Sequence, residues 1–416
     1  MQTRVRGLVG AALLLCAFCT FSALPVKAVQ CAIDQVPAAT LLMPYFEVDL
    51  SNGSNVTSLL AMTNTAATAT LTHVTIWTDW GVPALGFDVY FTGYDTQTIN
   101  LRDVIGSGLI PRTASVGQDP FNTISPRGPR SQDINIPSCN GILPPANLDA
   151  AALADLKAKL KGEPIPSSPT LCAGSPRGNQ IARGYVTVDV VTGCTALNPS
   201  SAGYFSGIAS NNNVLVGEML INALGTNTMW AYPLIHLEAA TLAPSSPSFY
   251  GRYVGDSGTD GREPLPASYA TRFVGPSPTN SSRLLVWRET PAMSGPVACA
   301  GGPAWVPLQT TALQLLDEAT HAFPAAASLP VAANAIDLAA DVANPFTQGL
   351  AILQLDHPAM GSRHAQAAVL AAHGLGTLES AFPASQLDDL CANQRYLPLL
   401  IDGFENGFVP WAGKTP

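Results

Sequence analysis

Glu218, His236 and Glu238 are the residues of this 416-residue chain whose types and spacing come nearest to a working site. His236 and Glu238 stand two apart in an apolar run, so in a strand their side chains share a face, and Glu218 lies in a neighbouring run able to pair with theirs. One imidazole and two carboxylates can hold a metal, or act as base and acid on a glycosidic or ester bond. Alternating polar residues are equally what the wet face of a β-sandwich presents, and both readings stand. His73 with Asp79, on the face of Trp77, reads as solvent-facing. His357, His364 and His373 fall at spacings of seven and nine, which no regular element brings together. There is no GxSxG elbow, no HExxH and no Gly-rich phosphate loop, which argues against the commonest hydrolases, zinc proteases and nucleotide enzymes.

A second stretch, Gly255-Asp256-Ser257-Gly258, resembles the nucleophile loop of trypsin-like serine proteases. In that family the triad histidine and aspartate come earlier in the chain and Gly-Pro follows the loop. Here Thr259-Asp260-Gly261 follows, and the segment most like the histidine's, Ala371-Ala372-His373-Gly374, comes after Ser257. A polar turn between Val254 and Pro264 is the plainer expectation. The same residues partly echo a calcium loop, but Gly258 and Ala267 occupy positions where that loop needs an oxygen ligand and a bidentate Glu. Calcium bound by Asp256, Asp260 and Glu263 is the cofactor alternative to a bare turn.

The elements that must position these groups read as strands. In Thr40 to Val104 five runs alternate with period two. The first sets Leu42, Phe46, Val48 and Leu50 against Tyr45, Glu47 and Asp49. The third sets Val74 and Ile76 against Leu71, His73, Thr75 and Trp77, and the fourth sets Phe87, Val89 and Phe91 against Asp88, Tyr90 and Thr92. Gly, Pro and Asn punctuate them every ten to twelve residues, as in a sandwich. Later runs are Ile181 onward, Val214 to Ile221, Trp230 to Ala239, Phe249 to Val254, Leu284 to Trp287, Ala312 to Leu316, Ala335 to Leu338, Leu350 to Leu355 and Ala365 to Ala372. One helix is expected over Asn147 to Lys161, capped by Asn147, striped by Leu148, Leu153, Leu156 and Leu160, and stopped by Gly162.

Export is the clearest expectation. Arg4 and Arg6 precede an apolar run to about Ala23, and Val26-Lys27-Ala28 supplies small residues at minus three and minus one, so residues 1–28 read as a cleaved secretory signal. No later stretch is long and apolar enough to span a bilayer. Without Arg4, Arg6 and Lys27 the chain has 17 basic residues (20 less three) against 29 acidic, a net charge of −12. That sign repels phosphate backbones, so nucleic acid is not expected as a partner. The mature cysteines, Cys31, Cys139, Cys172, Cys194, Cys299 and Cys391, form an even set that suits three disulfides in an oxidising compartment. Cys139 with Cys172 is the pair expected, bracketing the helix; no two have a zinc-knuckle separation.

The chain therefore reads as all-β, with two or three Ig-like β-sandwich domains and one short helical insertion. The boundaries expected are a signal over 1–28, a sandwich over 29–138, a disulfide-bracketed helical insertion over 139–178, a second β-rich domain over 179–330, and a β-rich segment and tail over 331–416. A composition of only 12% charged residues with 35 Gly and 35 Pro fits short strands and turns.

Asp402-Gly403-Phe404-Glu405-Asn406-Gly407 with Trp411 resembles the "DGFESG…W" segment near the ends of many exported bacterial proteins. The runs Leu41 to Phe46, Trp77 to Gly81, Ile99 to Asp103 and Gly251 to Gly255 are similar to those of a group of exported bacterial β-rich proteins of unknown function. The resemblance implies export and transfers no catalytic residue. The function expected is a secreted, non-enzymatic protein of the periplasm, cell surface or exterior, with a binding, adhesive or structural role toward an envelope or extracellular polymer or protein. A secreted hydrolase of polysaccharide or ester built on Glu218, His236 and Glu238 is the alternative.

Overall fold

The computed structural model describes residues 36–373 except 52–54, 114–136, 140, 144, 224–227, 243–247, 254–259, 275–281, 291–292, 294, 304–307, 320 and 355–365. The expected signal, Cys31, Asp256, Ser257, His357, His364, Cys391 and the C-terminal segment lie outside the described residues. Within them the protein is all-β: eighteen strands in antiparallel ladders, with four short helices. No helix there is long and apolar enough to cross a membrane.

Strands β1 (Thr40–Asp49), β3 (Thr70–Thr78), β4 (Pro83–Phe91), β7 (Ile181–Val191) and β10 (Ile235–Leu237) form one sheet in the order β10-β1-β7-β3-β4. Strands β2 (Val56–Asn64), β5 (Thr96–Asn100), β8 (Leu215–Ala223) and β9 (Thr228–Pro233) form a second, ordered β5-β2-β8-β9. Leu41, Met43, Val74, Ile76, Val186 and Val188 from the first pack with Leu60, Met62, Ile99, Leu215, Met219 and Ile221 from the second in one buried core. The two sheets make a β-sandwich, as the alternating patterns required.

A further pair of sheets follows. β11 (Ser268–Val274), β14 (Leu308–Leu316), β15 (Ala322–Leu329) and β17 (Gln348–Gln354) order as β11-β17-β14-β15; β12 (Ser282–Arg288), β16 (Ala333–Asp337) and β18 (Ala367–His373) order as β16-β12-β18. Phe273, Leu284, Val286, Leu315, Ile336 and Leu353 are buried together between them. The opposite face of β12 carries Leu285 and Trp287, which join the first core, so the three-stranded sheet serves two cores through the period-two alternation of its strands. Arg283 anchors this junction by a bidentate pair with Glu47 of β1, at 2.7 and 3.3 Å. Burial alone would raise the Glu47 carboxyl; the Arg283 guanidinium outweighs it and holds the carboxyl low.

Several expectations are corrected. The division at residue 179 does not follow the sheets, because β7 is inserted between β1 and β3 and β8 pairs with β2. Leu42 does not share a face with Phe46: the register shifts between Met43 and Phe46, where Pro44 has no N–H to give the ladder, so Leu41, Met43, Phe46 and Val48 share one face and Leu42 lies on the other, both buried. The run Trp230 to Ala239 is two strands on two sheets, parted at Leu234. Phe249–Tyr253 is helical, because Phe249 and Tyr250 are both fully buried toward one aromatic layer and a strand would turn one of them away.

The four helices are α1 (Leu101–Ser107), α2 (Ala150–Lys161), α3 (Tyr204–Gly207) and α4 (Phe249–Tyr253). The expected helix is α2, capped by Asp149 rather than Asn147, its carboxylate accepting from the Ala152 N–H at 2.8 Å, and closed by Gly162 in the left-handed region. Asn147 instead accepts from the Ile110 N–H. Helix α1 follows directly on β5, with Asn100 as its cap and Gly108 ending it in the left-handed region.

The disulfides join Cys139 to Cys194 and Cys172 to Cys299, not Cys139 to Cys172. The second closes a two-stranded ribbon of β6 (Leu171–Cys172) and β13 (Val297–Ala298).

Candidate functional site

Of the expected constellation, Glu218 lies on β8, His236 on β10 and Glu238 just after β10. Glu218 lies on β8 opposite Ala61 of β2 and Pro233 of β9. Its side chain alternates with core-facing Gly217 and Met219, so it projects from the outer face of the four-stranded sheet, on the side of Leu59, Leu220 and Ala231. Burial in this apolar setting raises its carboxyl to about 7. His236 meets the same strand through the main chain: its Nε2 accepts the Gly217 N–H at 3.2 Å, continuing the edge of β8 where β9 ends. Glu238 follows β10, its carbonyl accepting the Glu263 N–H at 2.9 Å.

Of the calcium candidates, Asp256 lies outside the described residues and Glu263 is exposed. Asp260 is turned inward, not toward a loop. One oxygen accepts from the Arg262 main chain and guanidinium, the other from the Tyr250 N–H. A carboxylate already neutralised by a buried guanidinium has little charge left for a cation. Among the described residues no three His, Cys, Asp or Glu side chains converge to hold a metal.

A further set of ionisable groups is buried in the interior. Asp88, His73, Asp189 and Thr40 are consecutive register partners across β4, β3, β7 and β1, so all four project from the same face of the five-stranded sheet. His73 Nδ1 lies 2.7 Å from Asp88 Oδ1, while Asp88 Oδ2 accepts the Thr195 N–H at 2.8 Å. The Thr40 hydroxyl donates to Asp189 and accepts from Arg262 Nε. Both tyrosines that cover the row, Tyr204 and Tyr250, donate to Asp189 at 2.9 to 3.1 Å. Burial, then the Asp189 charge, holds both phenols well above their usual range. Burial would depress the Arg262 guanidinium, but Asp189 and Asp260 outweigh it and raise it. None of these side chains is reachable: His73 and Asp88 are each 1% exposed and Asp189 and Arg262 0%. The expectation that His73 faces solvent beside Asp79 is therefore overturned. Asp79 accepts the Ser175 N–H at 2.9 Å, and burial pushes its carboxyl up to about 6.

An aromatic chain seals the row. Trp77 stacks on Tyr185 at 5.5 Å, Tyr185 meets Trp287, Trp287 meets Phe249, and Tyr250, Phe205 and Tyr204 carry the contact back to His73. His73 Nε2 has no hydrogen-bond partner among the described residues and lies over Gly86, where a Cβ would stand 2.8 Å from it. The dyad thus has the Asp–His geometry of a general base, but among the described residues no hydroxyl or thiol is bonded to His73 Nε2, and both side chains are buried. The sequence signals for the row were Val188-Asp189-Val190 and Phe87-Asp88-Val89, a single carboxylate inside each apolar run.

Compared with protein families, curated proteins and solved structures, the chain matches none.

Proposed function

We propose that this chain is an exported, non-enzymatic β-sandwich protein, Ig-like in architecture, that acts in the cell envelope or at the surface as a binding, adhesive or structural component. The observation that carries the reading is the sealed row itself. His73, Asp88, Asp189, Asp260 and Arg262 are spent on one another in the interior, where they are at most 5% exposed. Two disulfides support export, since such bonds persist in oxidising compartments. The surface then meets an envelope or extracellular polymer or protein by shape and hydrogen bonding. Fractionation of producing cells into periplasm, protease-accessible surface and medium tests this; retention in the cytosol ends it.

A second reading is favoured by one residue. Glu218 is a half-buried carboxyl raised to about 7 with no charged neighbour contributing to the shift, which is the state of a general acid. As a polysaccharide or ester hydrolase the protein would lose all turnover in a Glu218→Gln/Glu238→Gln variant. Turnover that survives both changes removes the assignment.

A further inference from the structure

The two disulfides differ in where they sit. Cys139 and Cys194 are both buried in the main core, and the Cys194 N–H donates to Ser138 Oγ at 3.0 Å. Cys172 is buried, but Cys299 is only half-buried, and every described residue from Met293 to Pro303 is half-buried or exposed. Among the described residues this outer segment is held by the two-residue ladder Val297 to Cys172 and Ala298 to Leu171, the Cys299 N–H to Thr170 carbonyl bond at 3.0 Å, the disulfide, and apolar packing from below. Beneath it lies a separate apolar cluster of Trp80, Val82, Ile165, Ala173 and Val331, on which Met293 and Val297 rest. Gly302 lies against the Trp80 ring, where a Cβ would stand 3.7 Å away.

We propose that Cys172–Cys299 is a thiol–disulfide exchange site, a clasp whose opening by a dithiol releases the β6–β13 ribbon and uncovers the Trp80 cluster. Access selects the sulfur: a thiolate attacks Cys299 Sγ, forms a mixed disulfide and expels the Cys172 thiolate. The second thiol of the reductant then attacks the mixed disulfide at its own sulfur. Two electrons pass to the protein, the reductant leaves as a disulfide, and both cysteines are recovered as thiols after protonation. A two-residue ladder does not persist alone in water, so the ribbon opens with the bond. The Cys139–Cys194 bond, shielded at both ends, stays closed.

The test is limiting dithiothreitol on the full mature protein, with timed alkylation and peptide mapping, and hydrogen exchange on the same samples. Label should reach Cys172 and Cys299 about tenfold faster than Cys139 and Cys194, because exchange rates follow access to the attacked sulfur. Exchange should rise over residues 165–173 and 295–303 while β1, β3 and β7 keep their protection. Equal or reversed labelling overturns the proposal, and so does reduction of Cys172–Cys299 that leaves exchange in those segments unchanged. A Cys172→Ser/Cys299→Ser variant should show the opened exchange pattern without reductant and native far-UV circular dichroism. Global unfolding of that variant also overturns it, since the bond would then be a staple of the whole fold.

Discussion

His73 on β3 and Asp189 on β7 stand directly opposite each other, and each passes its interaction outward, to Asp88 on one side and to Thr40 and Arg262 on the other. A polar line thus crosses a sheet whose opposite face is apolar. Such a line rewards one register only, because a slip of a single residue would put two carboxylates into the hydrocarbon core.

Arg262 is the residue on which that line depends. Arg262→Met leaves Asp189 and Asp260 buried with no guanidinium, and removing one partner of a buried pair costs about 3–5 kcal/mol. Denaturant unfolding should show this loss, with a smaller loss when Asp189→Asn is added, since the second change removes the charge the first stranded. A double-variant loss equal to the sum of the Arg262→Met and Asp189→Asn losses would mean that the pair is not coupled.

Gly86 is glycine because the His73 ring occupies the place of its side chain. Gly86→Ala should destabilise by about 1–3 kcal/mol, the usual cost of overpacking, and by much less in a His73→Ala background. Matching penalties in the two backgrounds would show that the ring is not what excludes the methyl group.

Glu218 sets a pH dependence whose sign is opposite to that of a salt-bridged carboxylate. Its folded value, about 7, is above the ordinary 4.5, so between those limits the native state binds more protons than the unfolded one. Stability from this group is therefore complete below about 4.5 and is lost as pH rises through 7. Glu218→Gln should flatten that part of the profile and leave the variant about 2 kcal/mol more stable than the parent at pH 8, after allowing for partial exposure. Parallel stability curves from pH 4 to 8 would reject this.

Non-reducing peptide maps should contain Cys139 linked to Cys194 and Cys172 linked to Cys299. Replacing Cys139 and Cys194 by Ala should cost about 4 kcal/mol, from the chain entropy of a loop spanning 55 residues. A Cys139–Cys172 peptide would contradict the structure.

Asp149→Ala removes the cap of α2 and should cost about 1 kcal/mol in thermal or denaturant unfolding, whereas Asn147→Ala should leave that helix unaffected.

The sequence by itself determined the strand class, and many strand limits to within a residue or two, because period-two alternation and Gly/Pro punctuation are local properties: Thr70–Thr78 and Leu215–Ala223 lie close to where their patterns place them. It also determined the stop of α2 at Gly162, a local demand for positive φ. What only the tertiary structure decided is which face of each strand is covered. His73 and Asp88 sit on the polar side of their runs, which a single sheet would turn to water; α3, α4 and β12 roof that side and bury it. Cysteine pairing was decided in the same way, since Cys194 and Cys299 reach their partners across 55 and 127 residues. Such contacts depend on which elements the whole chain brings together, and no periodicity within a run encodes them.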